Sequence, residues 1–213
     1  LLEKYIPKDL NVKVYLDYNQ KNQIICDLRF CYDNTEINPF DDGYIDIARN
    51  VLEENRVLNI FINSGFMLDG KNYRLILAND EEIYNFLSKD IENYMKMFEV
   101  LVAKNFKEKK VRALSLKTMG IRVENNLLNL DLENIGLDLA ELNDIIKKYK
   151  LKKKYYRLKN GDFIDLENDK TIKVFAEMED NLDIQYEEAE NNIIKLPINR
   201  IMYLDKILKK LDN

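Results

Sequence analysis

Few residues in this 213-residue chain have types and spacings that could support chemistry. Gly65, Gly70 and Lys71 reproduce the G-x-x-x-x-G-K spacing of a phosphate-binding loop, but Asn72 stands where Ser or Thr would bind magnesium. Such a loop follows a strand and opens a helix, whereas here a helical pattern precedes and a strand pattern follows. We therefore interpret the segment as a helix-to-strand connection and expect no ATP site in this chain.

Carboxylates are the other candidates for chemistry. The chain contains no histidine, which excludes Ser-His-Asp and Cys-His arrangements and zinc sites that need imidazole. Glu108, Lys109 and Lys110 have the E-x-K form of a metal-dependent nuclease, but the sequence offers no convincing upstream aspartate partner. Asp162 and Asp165 lie beside a predicted turn, where exposed aspartates are common.

Residues 165–170 begin like a calcium loop, but Lys170 occupies the sixth position, where such loops need glycine. We interpret this segment as an acidic turn before a helix, capped by Asn168 or Asp169. A carboxylate-based hydrolase stays open as an alternative hypothesis. We expect this chain to be non-catalytic.

The best candidate for a binding function is a run of cations between residues 147 and 159, which contains eight basic residues and no acidic one. These candidate nucleic-acid-binding residues are Lys147, Lys148, Lys150, Lys152, Lys153, Lys154, Arg157 and Lys159. Tyr155 and Tyr156 interleave with them, which would suit phosphate contacts combined with base stacking. The alternative is a solvated helix end beside core tyrosines, and both interpretations stay open.

Charge is unevenly distributed along the chain. The net charge of −5 argues against a nucleic-acid surface all over the molecule, and residues 162–190 hold eleven acidic residues against two lysines. A second, looser basic region consists of Lys104, Lys107, Lys109, Lys110, Arg112, Lys117 and Arg122. A shared face for the two basic regions would favour DNA as the partner.

The composition, 46% hydrophobic and 33% charged, is that of an ordinary soluble globular protein. No apolar run approaches the ~18 residues of a membrane span, and no signal peptide is visible, so no membrane partner is expected. Cys26 and Cys31 have an odd spacing that places them on opposite faces of a strand, which opposes a local disulfide. Two cysteines in a chain of this length indicate a reducing compartment, the cytoplasm. Because the chain begins with Leu1, we interpret it as a fragment of a larger protein.

Hydrophobic periodicity predicts the elements that position these residues. Strands are predicted over 12–18, 24–30, 72–78, 99–106, 111–116, 121–132 with a turn at 125–126, and 193–196. Helices are predicted over 45–64, after a cap at Asn79, over 91–98, after a cap at Asp138, over 169–181 and over 199–211. A hairpin with a type I′ turn at Asn160 and Gly161 follows the basic run. This mixture predicts the α+β class, with largely antiparallel sheets, hairpins and interspersed helices.

The stretch from 153 to 211 resembles a known family. It contains YYRLKNGDFIDL, beginning at Tyr155, and further on IKLPINRIMYLDKIL, which includes Leu196-Pro197 and Arg200-x-x-Tyr203-Leu204. These segments are similar to the bacterial Swi/Snf-family helicase-associated domain, which lies just ahead of the ATPase motor in that family. On this resemblance, and with a charged stretch near 106–110, residues 1–105 and 106–213 would be its N-terminal and C-terminal lobes.

The resemblance implies a non-catalytic accessory domain of a DNA-dependent ATPase, which assists or regulates the motor's engagement with DNA. ATP and magnesium would belong to the parent motor; for this chain we expect no cofactor, metal or small-molecule ligand. The partners would be the C-terminal motor and, as a candidate, DNA. The resemblance also suggests that the last helix contacts the motor, through Arg200, Tyr203, Leu204 and Ile207. The alternative function is a protein-interaction or autoregulatory module without nucleic-acid contact.

Overall fold

The computed structural model describes residues 8–41, 43, 47–114, 119–186, 189 and 191–209, with only the backbone of Asn134 described. Helices alternate with several small, mostly antiparallel sheets, so the predicted α+β class is confirmed. The chain divides into two compact units, residues 1–110 and 111–213, a few residues beyond the predicted change of lobe at 105–106.

The first unit contains a mostly antiparallel sheet. Its strands are β1 (Asn11–Tyr18), β2 (Ile24–Tyr32), β3 (Thr35–Ile37), β4 (Met67–Asp69), β5 (Arg74–Leu77) and β6 (Glu99–Val102). Their order is β4-β5-β2-β1-β6, with β3 also paired to β2 and with β6 parallel to β1. Every second side chain of β2 is buried because alternate residues of a strand point to opposite faces. Cys26 is therefore buried and Cys31 lies on the other face, both as free thiols.

The helices of the first unit are α1 (Val51–Asn63), α2 (Asp80–Asn85), α3 (Ile91–Met97) and α4 (Lys104–Glu108), and a π-helical turn, Phe86–Asp90, joins α2 to α3. Helix α1 is shorter than the predicted 45–64; residues 45 and 46 lie outside the described part. The predicted strand over 99–106 is wrong beyond Val102. Helix α4 takes its place and buries Phe106, whose ring stacks on Tyr18 with centroids 5.2 Å apart.

The segment with phosphate-loop spacing connects a helix to a strand, as predicted. Gly65 follows α1 with φ 89°, and the β4–β5 hairpin comes next. The Glu82 side chain lies so close to Gly65 that an added Cβ would meet it at 2.5 Å. Glycine is thus favoured here chiefly by the left-handed backbone conformation, a structural reason unrelated to phosphate, while the flexible Glu82 side chain could shift to admit a Cβ.

The second unit contains two three-stranded sheets. Its strands are β7 (Val111–Arg112), β8 (Gly120–Glu124), β9 (Leu127–Asp131), β10 (Tyr155–Arg157), β11 (Phe163–Asp165) and β12 (Ile193–Pro197), in the orders β10-β11-β7 and β12-β9-β8. Asn125 and Asn126 have φ of 51° and 61° and form the predicted turn between β8 and β9. Strand β7 is shorter than the predicted 111–116, of which residues 115 and 116 lie outside the described part.

The β10–β11 hairpin has a different turn from the predicted type I′. Gly161 has φ 92°, but Asn160 is not in the left-handed region. The Gly161 amide donates to the Leu158 carbonyl at 2.9 Å, and the Leu158 amide donates to the Asp162 carbonyl at 2.8 Å. These bonds define a three-residue loop with Gly161 as the left-handed bulge residue. The Asn160 side chain stabilises it, accepting from the Asp162 amide and donating to the Asp162 carboxylate.

The helices of the second unit are α5 (Leu139–Lys150), α6 (Lys170–Leu182) and α7 (Ile201–Leu208), the last preceded by a 3₁₀ turn, Ile198–Arg200. Asp138 caps α5, as predicted, and of the two candidates Asn168 and Asp169, it is Asp169 that caps α6. The main core cluster of this unit includes Leu128, Leu130, Leu142, Phe175, Met178, Ile194 and Leu204. Helices α5, α6 and α7 thus pack with the β12-β9-β8 sheet. Residues 210 and 211 of the predicted last helix lie outside the described part.

Candidate nucleic-acid interface

The predicted cations lie where α5 ends and β10 begins; we call residues 147–159 the basic elbow. Helix α5 ends in a Schellman motif, in which the Lys152 amide donates to the Tyr149 carbonyl at 2.8 Å and the Lys153 amide donates to the Lys148 carbonyl at 3.1 Å. Lys152 has φ 56°. It occupies the left-handed position that glycine usually fills at such a helix end.

Lysine is an unfavourable choice at two points of this motif. A side chain at Lys152 resists left-handed φ, and the hydrophobic contact that usually accompanies the motif is replaced by two cations, Lys148 and Lys153. Cations near a helix C-terminus do interact favourably with the helix dipole, which supports those in the last turn of α5. The dipole explains Lys148, but it supplies no reason for lysine at the left-handed position.

Two of the predicted cations are engaged inside the second unit. Lys150 Nζ lies 2.6 Å from Asp180 Oδ1 and 3.3 Å from Glu179 Oε1. The hydrogen bond to Asp180, together with that to Glu179, raises the pKa of Lys150. The Arg157 guanidinium lies over the Phe163 ring, 5.0 Å from its centroid. These contacts give Lys150 and Arg157 structural roles.

The remaining cations of the basic elbow point outward. Lys147, Lys148, Lys152, Lys153, Lys154 and Lys159 are all exposed. Within the described part of the chain, no acidic side chain lies within salt-bridge distance of Lys148 or of residues 152–154. An open groove of about 490 Å³ runs along this surface, lined by Tyr149, Lys150, Lys152, Lys153, Lys154, Leu166 and Glu167. Glu167 contributes a carboxylate to a lining that is otherwise basic or apolar.

The tyrosines of the basic elbow are used for packing. Tyr155 is half-buried and meets Phe163 edge to face, with centroids 5.5 Å apart. Tyr156 is half-buried against the cluster that contains Leu158 and Ile164. Burial raises the pKa of Tyr156, and nearby carboxylates add to the effect. Tyr149 also packs on this cluster. The expectation of stacking rings is therefore not supported by their placement.

The second basic region has a different character. Lys109 lies over the Tyr18 ring and donates to Asn22, and Arg112 Nε lies 2.6 Å from Asp162 Oδ2. Lys117 lies outside the described residues. Residues 104–110 belong to the first unit, whereas Arg112 and Arg122 belong to the second. Its other described members, Lys104, Lys107, Lys110 and Arg122, are exposed, as is Arg112.

The four residues predicted to contact the motor separate into two pairs. Leu204 and Ile207 are buried in the core of the second unit, at 1% and 2% exposure. Arg200 and Tyr203 are exposed, and the Tyr203 hydroxyl donates to Asn181 Oδ1 at 3.5 Å. The sequence interpretation missed Met202, which is 82% exposed. A helical wheel could have found it, because at 100° per residue Met202 lies opposite Leu204 and Ile207.

The candidate carboxylates have structural partners. Asp162 is buried and accepts hydrogen bonds from Asn160 and Arg112. Asp165 accepts from the amides of Glu167 and Asn168, in the turn before α6. Among the described residues, no group of three or more His, Cys, Asp or Glu side chains could hold a metal ion. Over the same residues, no helix combines the length and apolarity needed to cross a membrane.

The chain thus consists of two α+β units, the second of which carries an exposed, lysine-rich helix end. A family model described as bacterial SNF2 helicase associated matches residues 1–213, and the chain belongs to this family. The resemblance of residues 153–211 to that family is thereby confirmed. No curated protein and no solved structure matches the chain.

Proposed function

We propose that this chain is a non-catalytic accessory domain of a bacterial SNF2-type, DNA-dependent ATPase, and that it helps the motor engage DNA through the basic elbow. The family description, bacterial SNF2 helicase associated, supports a SNF2 helicase motor as the partner, and we take DNA to be the substrate of that motor. The observation that supports a DNA contact is the set of exposed lysines, at 148 and 152–154, without acidic partners among the described residues.

Local charge decides this proposal more than net charge does. The whole chain is acidic, yet its acids are segregated: residues 162–190 carry eleven of them, and two of these hold Lys150. Exposed charges farther apart than about 8–10 Å are largely screened at physiological salt, so a phosphate at the elbow responds mainly to nearby lysines. A −5 chain can therefore bind DNA through one positive surface.

The test is fluorescence anisotropy of the 213-residue chain with a labelled duplex, between about 50 and about 200 mM salt. Replacing Lys153 and Lys154 by Gln is expected to weaken binding about tenfold at the lower salt concentration. The control variant replaces Lys89 and Lys96, which are exposed in the first unit, and changes the net charge equally. No binding at low salt, or equal loss in both variants, would contradict the DNA contact.

A protein-interaction or autoregulatory module is the second candidate. The observation that favours it is the exposed apolar strip on α7, where Ile201, Met202 and Tyr203 are 42%, 82% and 46% exposed. We propose that this strip, together with Arg200, contacts the motor. The ATPase rate of the parent motor with and without this domain, and with Met202 changed to Glu, tests it. Unchanged rates and no co-purification with the motor would rule out this role.

A further inference from the structure

We infer that the basic elbow recognises the phosphate backbone of nucleic acid and does not read or stack its bases. This inference rests on the proposed DNA contact and specifies its chemistry. It follows from which side chains of the elbow are exposed and which are engaged in packing. The ligand class is a nucleic-acid strand, bound through its phosphodiester backbone and independently of its base sequence.

The aromatic residues that could stack on bases are engaged elsewhere. A base needs an exposed ring face, as in single-strand-binding proteins. Tyr155 is half-buried with its ring against Phe163, and Tyr156 is packed on the cluster around Leu158 and Ile164. Tyr149 lies in the groove lining but also packs against the core. The elbow therefore lacks a ring held out as a stacking platform.

The cation best suited to reading bases is also engaged. Arginine recognises guanine through its planar, forked guanidinium, whereas lysine is a compact point charge. In the elbow, Arg157 is the only arginine, and its guanidinium lies over the Phe163 ring. The exposed cations at 148, 152–154 and 159 are all lysines. Lysine ammonium groups neutralise phosphates without fixing the identity of the base.

The backbone of the elbow brings these lysines close together. The Schellman motif joins Lys153 to Lys148 through a backbone hydrogen bond, and Lys152 is held between them in left-handed φ. Lys154 follows, with its carbonyl accepting from the Leu166 amide. The cluster is thus fixed at its backbone on both sides, and its lysine side chains are exposed to water. This arrangement suits an anion with closely spaced charges. The Glu167 carboxylate in the groove lining would repel such an anion and so weaken its binding.

The experiment compares three strands of equal length on the full chain by anisotropy: an ordinary single strand, a strand of abasic sites, and a polyglutamate peptide. The first two are expected to bind within about threefold of each other, and polyglutamate more weakly, because counterion release depends on phosphate charge density. Changing Lys153 and Lys154 to Gln should make the slope of log K against log salt for a duplex shallower by about two. The Lys89 and Lys96 variant should leave that slope unchanged.

Three outcomes would overturn the inference: a base-containing strand that binds more than about threefold tighter than the abasic strand, polyglutamate that binds as tightly as DNA, or a salt slope unchanged by the elbow variant. The first two would still leave an anion-binding surface. Complete absence of binding to the duplex as well as to all three probes at low salt would instead refute the proposed DNA contact itself. The two failures are thereby distinguishable.

Discussion

The C-terminal ends of α5 and α6 lie side by side and carry opposite charge. The last turn of α5 contains Lys147, Lys148 and Lys150, whereas the last turns of α6 contain acids and no basic residue. Both helices are followed by a residue other than glycine in left-handed φ, Lys152 at 56° and Asp183 at 54°. Both ends thus have a left-handed residue after the helix, and they differ in the charges of their last turns.

The helix dipole makes these two ends unequal. Cations near the C-terminus of α5 are favourable, whereas acids near the C-terminus of α6 are unfavourable, by about 0.3–1 kcal/mol each at exposed sites. Lys150 offsets the unfavourable acids at the end of α6, because its ammonium group pairs with Asp180 and Glu179. Lys148 and the lysines at 152–154 have no acidic partner among the described residues. Lys150 therefore stabilises the contact between the two helices, whereas these exposed lysines are the ones that we propose bind DNA.

The largest expected effect on stability comes from a core residue of α6, the helix with the acidic end. Met178 of α6 is fully buried in the main core cluster. Changing it to Ala should lower the free energy of unfolding by about 2–4 kcal/mol, since the core would lose its contacts and retain part of a cavity. Urea denaturation measures this. The matched control is Met202→Ala, 82% exposed, which should change stability little; equal losses would mean that Met178 is not a core residue.

The N-terminal caps extend the comparison to the other ends of the same helices. Asp169 is buried and accepts from the amides of Thr171, Ile172 and Leu114, so Asp169→Ala should lower stability by about 2 kcal/mol. Asp138 is exposed and accepts from Ala140 alone, so Asp138→Ala should lower it by about 0.5–1 kcal/mol. Thermal or urea unfolding of both variants shows which substitution lowers the free energy of unfolding more. A larger loss for Asp138→Ala would contradict this expectation.

These helices also show what could be predicted from the sequence. Asp138 was recognisable as a cap, and Asp169 as one of two candidates with Asn168, because a cap is a local signal, a short polar side chain before an apolar helical pattern. The asparagine turn at 125–126 is local in the same way, and it was found. The Asn160–Gly161 turn was misassigned because the Asn160 side chain bonds to Asp162 and favours a longer loop.

The sequence predicted the candidate site as a group of residues, but it did not predict which of those residues are engaged in contacts and which are exposed. The eight cations are adjacent in sequence, so their clustering required no tertiary information. Which of them are engaged depends on residues far along the chain: Asp180 for Lys150 and the Phe163 ring for Arg157. The tyrosines were ambiguous for the same reason, because a strand pattern cannot say which face another element covers.

Glycine substitutions at the left-handed positions after α5 and α6 should have the same effect on stability but different effects on DNA binding. Lys152→Gly and Asp183→Gly should each raise the free energy of unfolding by about 0.5–1 kcal/mol, because glycine accepts positive φ without strain, partly offset by its greater unfolded-state freedom. Their effects on DNA binding should differ. Lys152→Gly removes an exposed cation of the elbow and should weaken binding about threefold at low salt, whereas Asp183→Gly should not weaken it.

Denaturation and anisotropy on the same preparations separate the two effects. A more stable Lys152→Gly protein that binds DNA as well as the parent would show that the lysine has no binding role. A less stable one would contradict the left-handed conformation at this position. Either result would remove the distinction drawn between the two helix ends.

The smallest expected effect on stability concerns Lys150, which pairs the end of α5 with the acids of α6. Lys150→Met should lower stability by about 0.5 kcal/mol near neutral pH, since the ion pairs are partly exposed. Because the folded-state pKa of Lys150 is raised, by its hydrogen bonds to Asp180 and Glu179, its contribution is fully present below the ordinary value of 10.5 and is lost as the pH rises through the folded pKa. The stability difference between parent and variant should therefore be constant from neutral pH to about pH 9 and should vanish in stronger alkali. Lys148→Met, which lacks an acidic partner among the described residues, should show no such alkaline decline. If both variants lost the same stability with the same pH profile, Lys150 would be one more surface cation rather than the link between the two helix ends.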